Sequence, residues 1–203
     1  MSPIGCLMVE HRVIERMICL MDAQQAIIRY TGQIDLVFFD TVMDVLNTYV
    51  DKCHCGKEED ILFRTLAAKA LSEEHRKMLD QLVAEHVWAR QKTQQLISAK
   101  KNCGGGDKSG LSEVAIYMRE LVEFYRAHIE KEDRHFFVPS MVYLSETERA
   151  DMGQQFWDFD QGLTYDKYNK TVEKLERQNG FAPEHKPSNK MGNLAALLAR
   201  QKT

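Results

Sequence analysis

The chain has 203 residues, 44% hydrophobic and 28% charged, with 27 Lys and Arg against 30 Asp and Glu and a net charge of -3. That balance is ordinary for a globular domain, carries no basic field for nucleic acid, and leaves no apolar run near the roughly 20 residues of a membrane span. With 4 prolines and 11 glycines, the composition also leans away from a turn-rich all-β fold.

The five cysteines, Cys6, Cys19, Cys53, Cys55 and Cys103, form neither a C-x-x-C pair nor an even disulfide framework. Cys53-His54-Cys55 resembles a ligand cluster, but neighbouring helical side chains point about 100° apart and cannot share one ion. Packed thiols are the expectation there. Met1 to Cys6 lacks the basic and apolar regions of a signal peptide, so a cytoplasmic protein is expected.

Ser2-Pro3 opens the first helix, whose apolar stripe is Leu7, Ile14, Ile18 and Met21, with His11 on the same face. Thr31-Gly32 breaks it. The second helix starts near Asp35 and carries Phe39, Met43, Leu46 and Val50, then His54 and Glu58, towards Leu66. Gly56 is a weak point inside it. Ser72 caps the third helix, with the stripe Leu79, Leu82, Val83, His86, Thr93 and Ile97. Residues 102–110 form the clearest loop. Ser112 caps a fourth helix bearing Val114, Leu121, Tyr125, His128 and Glu132, which Pro139 is expected to end.

These spacings predict an all-α protein, an up-down-up-down four-helix bundle over residues 1–140. A C-terminal helical appendage follows over 141–180. It holds a capping box at Ser145 to Glu148 and a further amphipathic stretch from Tyr165 to Gln178. Residues 181–203 read as a disordered tail with a possible turn near Leu194 to Leu198.

The chemistry lies in where the histidines fall. His11, His54, His86 and His128 each sit in mid-stripe on one of the four helices. Two of them are followed by a glutamate at i+4, giving His54/Glu58 and His128/Glu132. Residues four apart share a helix face, so each pair aims an imidazole and a carboxylate at one interior point. Two unneutralised carboxylates in a core would strain a net stability of about 5–15 kcal/mol. Metal ions neutralise them directly. Four imidazoles and two bridging carboxylates suit two ions of iron, manganese or zinc. Ferritin-like centres use a Glu-x-x-His motif on two helices; here a single one occurs, Glu132 to His135.

The set Glu10-His11, His54-x3-Glu58 with Ile61-Leu62-Phe63, Glu85-His86, and His128-x3-Glu132 with Phe136-Phe137-Val138-Pro139 resembles the hemerythrin-like, HHE cation-binding family over about residues 4–140. The resemblance implies a non-haem di-iron centre, two iron ions that are oxo- or hydroxo-bridged when oxidised. It assigns His11, His54, His86 and His128 as terminal ligands and Glu58 and Glu132 as bridges. Oxygen-carrying hemerythrins have a further histidine where Arg90 stands here, and an aspartate where Asp133 stands, so Asp133 competes with Glu132. His135 is either an extra ligand or a surface residue. Glu15 and Glu59 are candidates to accept a ring N–H from a ligating histidine, and Tyr125 to donate to a bound ligand. His75 and His185 have no evident partner.

The function so implied is binding or sensing of dioxygen, nitric oxide or iron, with a small diatomic ligand as partner. The C-terminal extension is then a surface for a protein partner or a homodimer. The alternative is a di-iron redox enzyme that reduces peroxide or nitric oxide or repairs iron–sulfur centres, although no flavin, haem or rubredoxin-like motif supplies electrons.

Overall fold

A computed structural model describes residues 3–103, 108–160 and 164–181. Among the described residues there is no strand, and no helix is long and apolar enough to cross a membrane. Helix α1 is Pro3–Thr31. It stops where Gly32 takes φ 65° and its N–H reaches the Ile28 carbonyl at 2.8 Å, a left-handed cap that a residue with a Cβ resists.

Asp35 caps α2, Leu36–Asp44, by accepting from the N–H groups of Val37 and Phe38. The run continues helically through two wide π-type stretches, Val45–Cys55 and Glu58–Phe63, into α3, Arg64–Ala67. Helix α4, Glu73–Asn102, starts at Ser72, whose hydroxyl accepts from the His75 N–H. Helix α5 is Lys108–Lys131. Another π-type stretch, Glu132–Phe136, leads into α6, Phe137–Ser140, and a 3-10 turn, Met141–Tyr143. Helices α7, Glu146–Asp160, and α8, Thr164–Gln178, complete the described chain.

Three expectations need correction. Ser112 does not open the fourth helix, because α5 already begins at Lys108. Pro139 does not close the run but lies inside α6. Its ring would crowd the carbonyl four residues back in a regular helix, and the wide turn ahead of it, with Phe136 at φ -114°, opens that space. On α4, Val83 is exposed and Ile97 half-buried, while Ala89, Leu96 and Ala99 take the inner face. The tail expected beyond Phe181 lies outside the described residues.

The core falls into two apolar clusters. One gathers Val13, Ile14, Leu46, Cys55, Ala89, Tyr125 and Ile129; the other gathers Leu7, Ile61, Leu62, Leu82, Phe136 and Phe137. Each of the four long runs passes from one cluster to the other, in alternating order along the chain. Where each crosses lies a histidine. The later helices are part of the same packing: Met152 and Phe156 of α7 join the second cluster, and Tyr168, Val172 and Leu175 of α8 join the first. Arg16 of α1 holds Glu176 of α8 at 2.5–2.8 Å. The Phe159 ring of α7 lies over Gly56, where a Cβ would come within 2.8 Å of it, so a side chain there would have to displace that half-exposed ring.

Candidate metal centre

Between the two clusters lies a polar layer. His11, Glu58 and Glu132 are fully buried, His54 and His86 are 2% exposed, and His128 is 4% exposed. All six predicted residues meet here. The π-type stretches start at Glu58 and at Glu132, and such widened turns recur at functional sites because they re-aim the side chains that follow.

The carboxylates span the layer. One oxygen of Glu58 lies 3.2 Å from His54 Nε2 and the other 3.4 Å from His86 Nε2. Glu132 lies 3.3 Å from both His11 Nε2 and His128 Nε2, through different oxygens. Ligand atoms of His11, His54, Glu58 and Glu132 fall within 4.8 Å of one another, as do those of His86, His128 and Glu132. The arrangement is thus two adjoining donor sets that share Glu132, with Glu58 of the first also reaching His86 of the second.

Behind the layer, every imidazole gives its Nδ1–H to an acid on another helix. His54 donates to Glu10 at 2.8 Å, His86 to Glu59 at 2.6 Å, His128 to Glu85 at 2.8 Å and His11 to Asp133 at 2.7 Å. Each acid in turn takes a cation from the run that carries its histidine: Lys57 on Glu10, Arg90 on Glu59, Lys131 on Glu85 and Arg12 on Asp133. The four pairs close a ring, in which each helical run supplies the acid for the histidine of the next. Charge is balanced around that ring. With Nδ1 protonated, Nε2 of each neutral imidazole presents its lone pair inward. Phe137, Phe63 and Phe124 stack on His11, His86 and His128 with centroids 5.2–5.8 Å apart, which fixes the ring planes.

The electrostatics follow from burial. Burial would raise the Glu10 carboxyl, but the His54 hydrogen bond and the Lys57 charge bring it below its usual value. Burial lowers His11 to about 4, against the pull of Asp133. For His54 burial also acts downward, yet Glu58 and Glu10 outweigh it and raise the imidazole to about 9. Glu58, which burial alone would raise, is drawn to about 2 by His54. Burial and then the Glu58 charge push Glu132 well above the carboxylate range. Without a metal, the layer therefore favours one imidazolium–carboxylate pair, His54 with Glu58, and disfavours ionisation of Glu132.

Both oxygens of Glu58, both of Glu132 and Nε2 of His11 are buried without a hydrogen-bond partner. Nε2 of His86 and Nε2 of His128 face each other at 3.1 Å, two lone pairs that repel unless a cation joins them. Such orphaned groups cost about 1–3 kcal/mol each, and a native core holds few of them. The donor set, imidazole and carboxylate, is the one that suits iron, manganese or zinc. The residues fit a metal pair.

Sequence reasoning found the six inner residues but only part of the ring. Glu59 does accept from His86, whereas Glu15 pairs with Arg12 at 3.2 Å and stays outside. Asp133 serves His11 rather than the interior, and His135 is exposed. Glu10 and Glu85 were missed as acceptors. The signal was present as doublets, Glu10-His11, Glu58-Glu59, Glu85-His86 and Glu132-Asp133: an inner residue beside an acid that serves a different helix.

A family model, the hemerythrin HHE cation binding domain, matches residues 2–138. The chain belongs to that family, a class of helical cation-binding domains. No curated protein and no solved structure matches the chain.

Proposed function

We propose that the chain is a non-haem di-iron protein built on an up-down-up-down four-helix bundle, which binds or senses dioxygen or nitric oxide. The observation that carries this reading is the pair of carboxylates, Glu58 and Glu132, with all four oxygens buried and without a hydrogen bond among four Nε2 atoms that face the layer. The bundle topology is supported by the alternation of the four runs between two core clusters. His11 and His54 would hold one ion, His86 and His128 the other, and Glu58 and Glu132 would bridge them, with Asp133 left to orient His11. When bound, two iron ions supply reversible one-electron chemistry and open positions for a diatomic ligand.

The protein's own groups do the rest. The ring acids fix each imidazole tautomer, the phenylalanines fix the ring planes, and the two apolar clusters keep bulk water from the layer. His54 and Glu132 give up protons as the ions enter.

Anaerobic reconstitution followed by metal analysis tests the reading. About two irons per chain are expected, lost in a His54→Ala, Glu58→Ala double variant. A fully helical protein that takes up no metal would overturn it. A second reading, redox turnover, is favoured by one feature. Trp88, 37% exposed, packs at a tilt on Phe124 with centroids 4.7 Å apart, and Phe124 stacks on His128 at 5.2 Å. That chain of rings joins the surface to the layer. Stopped-flow spectroscopy separates the two: a stable, reversible oxygen adduct supports binding, and rapid oxidation with peroxide consumed supports turnover.

A further inference from the structure

The polar layer is sealed on most sides, but a cavity of about 40 Å³ reaches it between the second helical run and α4. Leu46, Asp51, Cys55, His86, Arg90 and Tyr125 are among the residues that line it. Arg90 stands one turn beyond His86, where a side chain could have turned inward. It is instead drawn outward, with Nε 2.5 Å from Asp51 and a terminal nitrogen 2.7 Å from Glu59. This half-exposed pair spans the two helical runs at the mouth of the cleft.

Inside, Cys55 is buried and its Sγ lies within 4.8 Å of ligand atoms of both Glu58 and His86. Tyr125 is 6% exposed and makes no hydrogen bond among the described residues. The hydroxyl is not one of the sealed, unpartnered polar atoms of the core, so on the cavity wall it stays accessible and can donate to whatever enters. A water needs about 10–15 Å³ of such space, so the enclosed part of the cleft takes a ligand of two or three heavy atoms.

We propose that this cleft is the binding site for a small inorganic ligand on the His86 side of the centre. The Tyr125 hydroxyl donates to that ligand, the Cys55 thiol forms the facing wall, and the Arg90–Asp51 pair covers the entrance. The proposal rests on reading the layer as a metal centre. It adds which side is open, what the ligand meets there and how large it can be.

The test uses the iron-loaded full chain with azide as the probe, titrated by absorbance. Tyr125→Phe is expected to weaken azide about tenfold, the loss of one hydrogen bond to a charged ligand. Ala89→Leu fills the cleft from α4, where Ala89 is 6% exposed, and is expected to abolish binding with iron content and helicity unchanged. Thr93→Leu, from the same wall, does the same if Ala89→Leu folds poorly. A readout that needs no metal accompanies them: modification of Cys55 by methyl methanethiosulfonate in the metal-free protein, followed site by site by mass spectrometry. Ala89→Leu should slow it more than tenfold, and Arg90→Ala should speed it. A chain that takes up no iron overturns both the centre and this cleft. An iron-loaded chain whose azide affinity and Cys55 labelling are indifferent to the filling variants overturns the cleft alone.

Discussion

Glu10 turns away from its neighbour His11 and accepts instead from His54 on the next helical run, at 2.8 Å. The same displacement recurs at Glu85, which stands beside His86 and serves His128. The acids therefore act between helices rather than within one.

Glu10→Gln and Glu85→Gln keep the side-chain size but remove the charge that holds an imidazole. Each is expected to lower metal affinity by about 10–100-fold, the usual cost of losing a partner behind a ligand. Glu15→Gln, a half-buried acid whose partner is Arg12, should leave the affinity unchanged. Competition titration against a chelator checks all three.

The two inner carboxylates should behave oppositely when no metal is present. Glu58 is ionised against His54, so Glu58→Gln removes the stronger of the two carboxylates on the buried imidazolium, leaving it Glu10 alone, and should cost about 3 kcal/mol. Burial and the Glu58 charge disfavour ionisation of Glu132, so Glu132→Gln, a neutral side chain of the same size, should alter metal-free stability by less than about 1 kcal/mol. Both variants should lose metal. Urea unfolding of the metal-free proteins reads the contrast.

Metal uptake should strengthen with pH. His54 is raised from 6.5 to about 9, and its proton must leave before Nε2 can bind an ion. Affinity then climbs towards pH 9, with protons released to the buffer, which calorimetry in buffers of different ionisation heat detects. The metal-free fold has the reverse dependence above neutrality. The His54 contribution to its stability is fully present below pH 6.5 and is lost as pH rises through about 9. On the acid side the Glu58 contribution is present above pH 4.5 and is lost as pH falls through about 2.

Loading the centre should stabilise the fold by mass action, about 2.7 kcal/mol at free metal 100-fold above Kd. Chelation should return the melting temperature to the metal-free value, as differential scanning calorimetry would show.

Far from the layer, Ser145 and Glu148 bond reciprocally at the start of α7, at 2.8 and 3.2 Å. Ser145→Ala is expected to cost about 1 kcal/mol in urea unfolding, without change in metal content.

The inner faces of the helices were legible in the sequence because a stripe at helical spacing constrains a whole run, and six polar residues on such stripes demanded a common purpose. The ring of acids was harder to read. Glu10, Glu85 and Asp133 act on helices far away in sequence, and nothing in a local window says which neighbour they meet. Pro139 misled for a related reason: the rule that proline ends a helix assumes a regular turn before it, and Glu132–Phe136 supplies a wide one. Val83 was placed inside by its apolar character alone, although one step along α4 it is His86, Ala89 and Thr93 that share the buried side.

The closed ring also orders the birth of the protein. A chain made from its N-terminus has His54 and Glu10 in hand early, yet His11 waits for Asp133 and His128 for its own helix. No pair of neighbouring helices, docked alone, completes both donor sets. A nascent fragment therefore presents only part of the cage, and both donor sets are complete only once the fourth run has closed on the first.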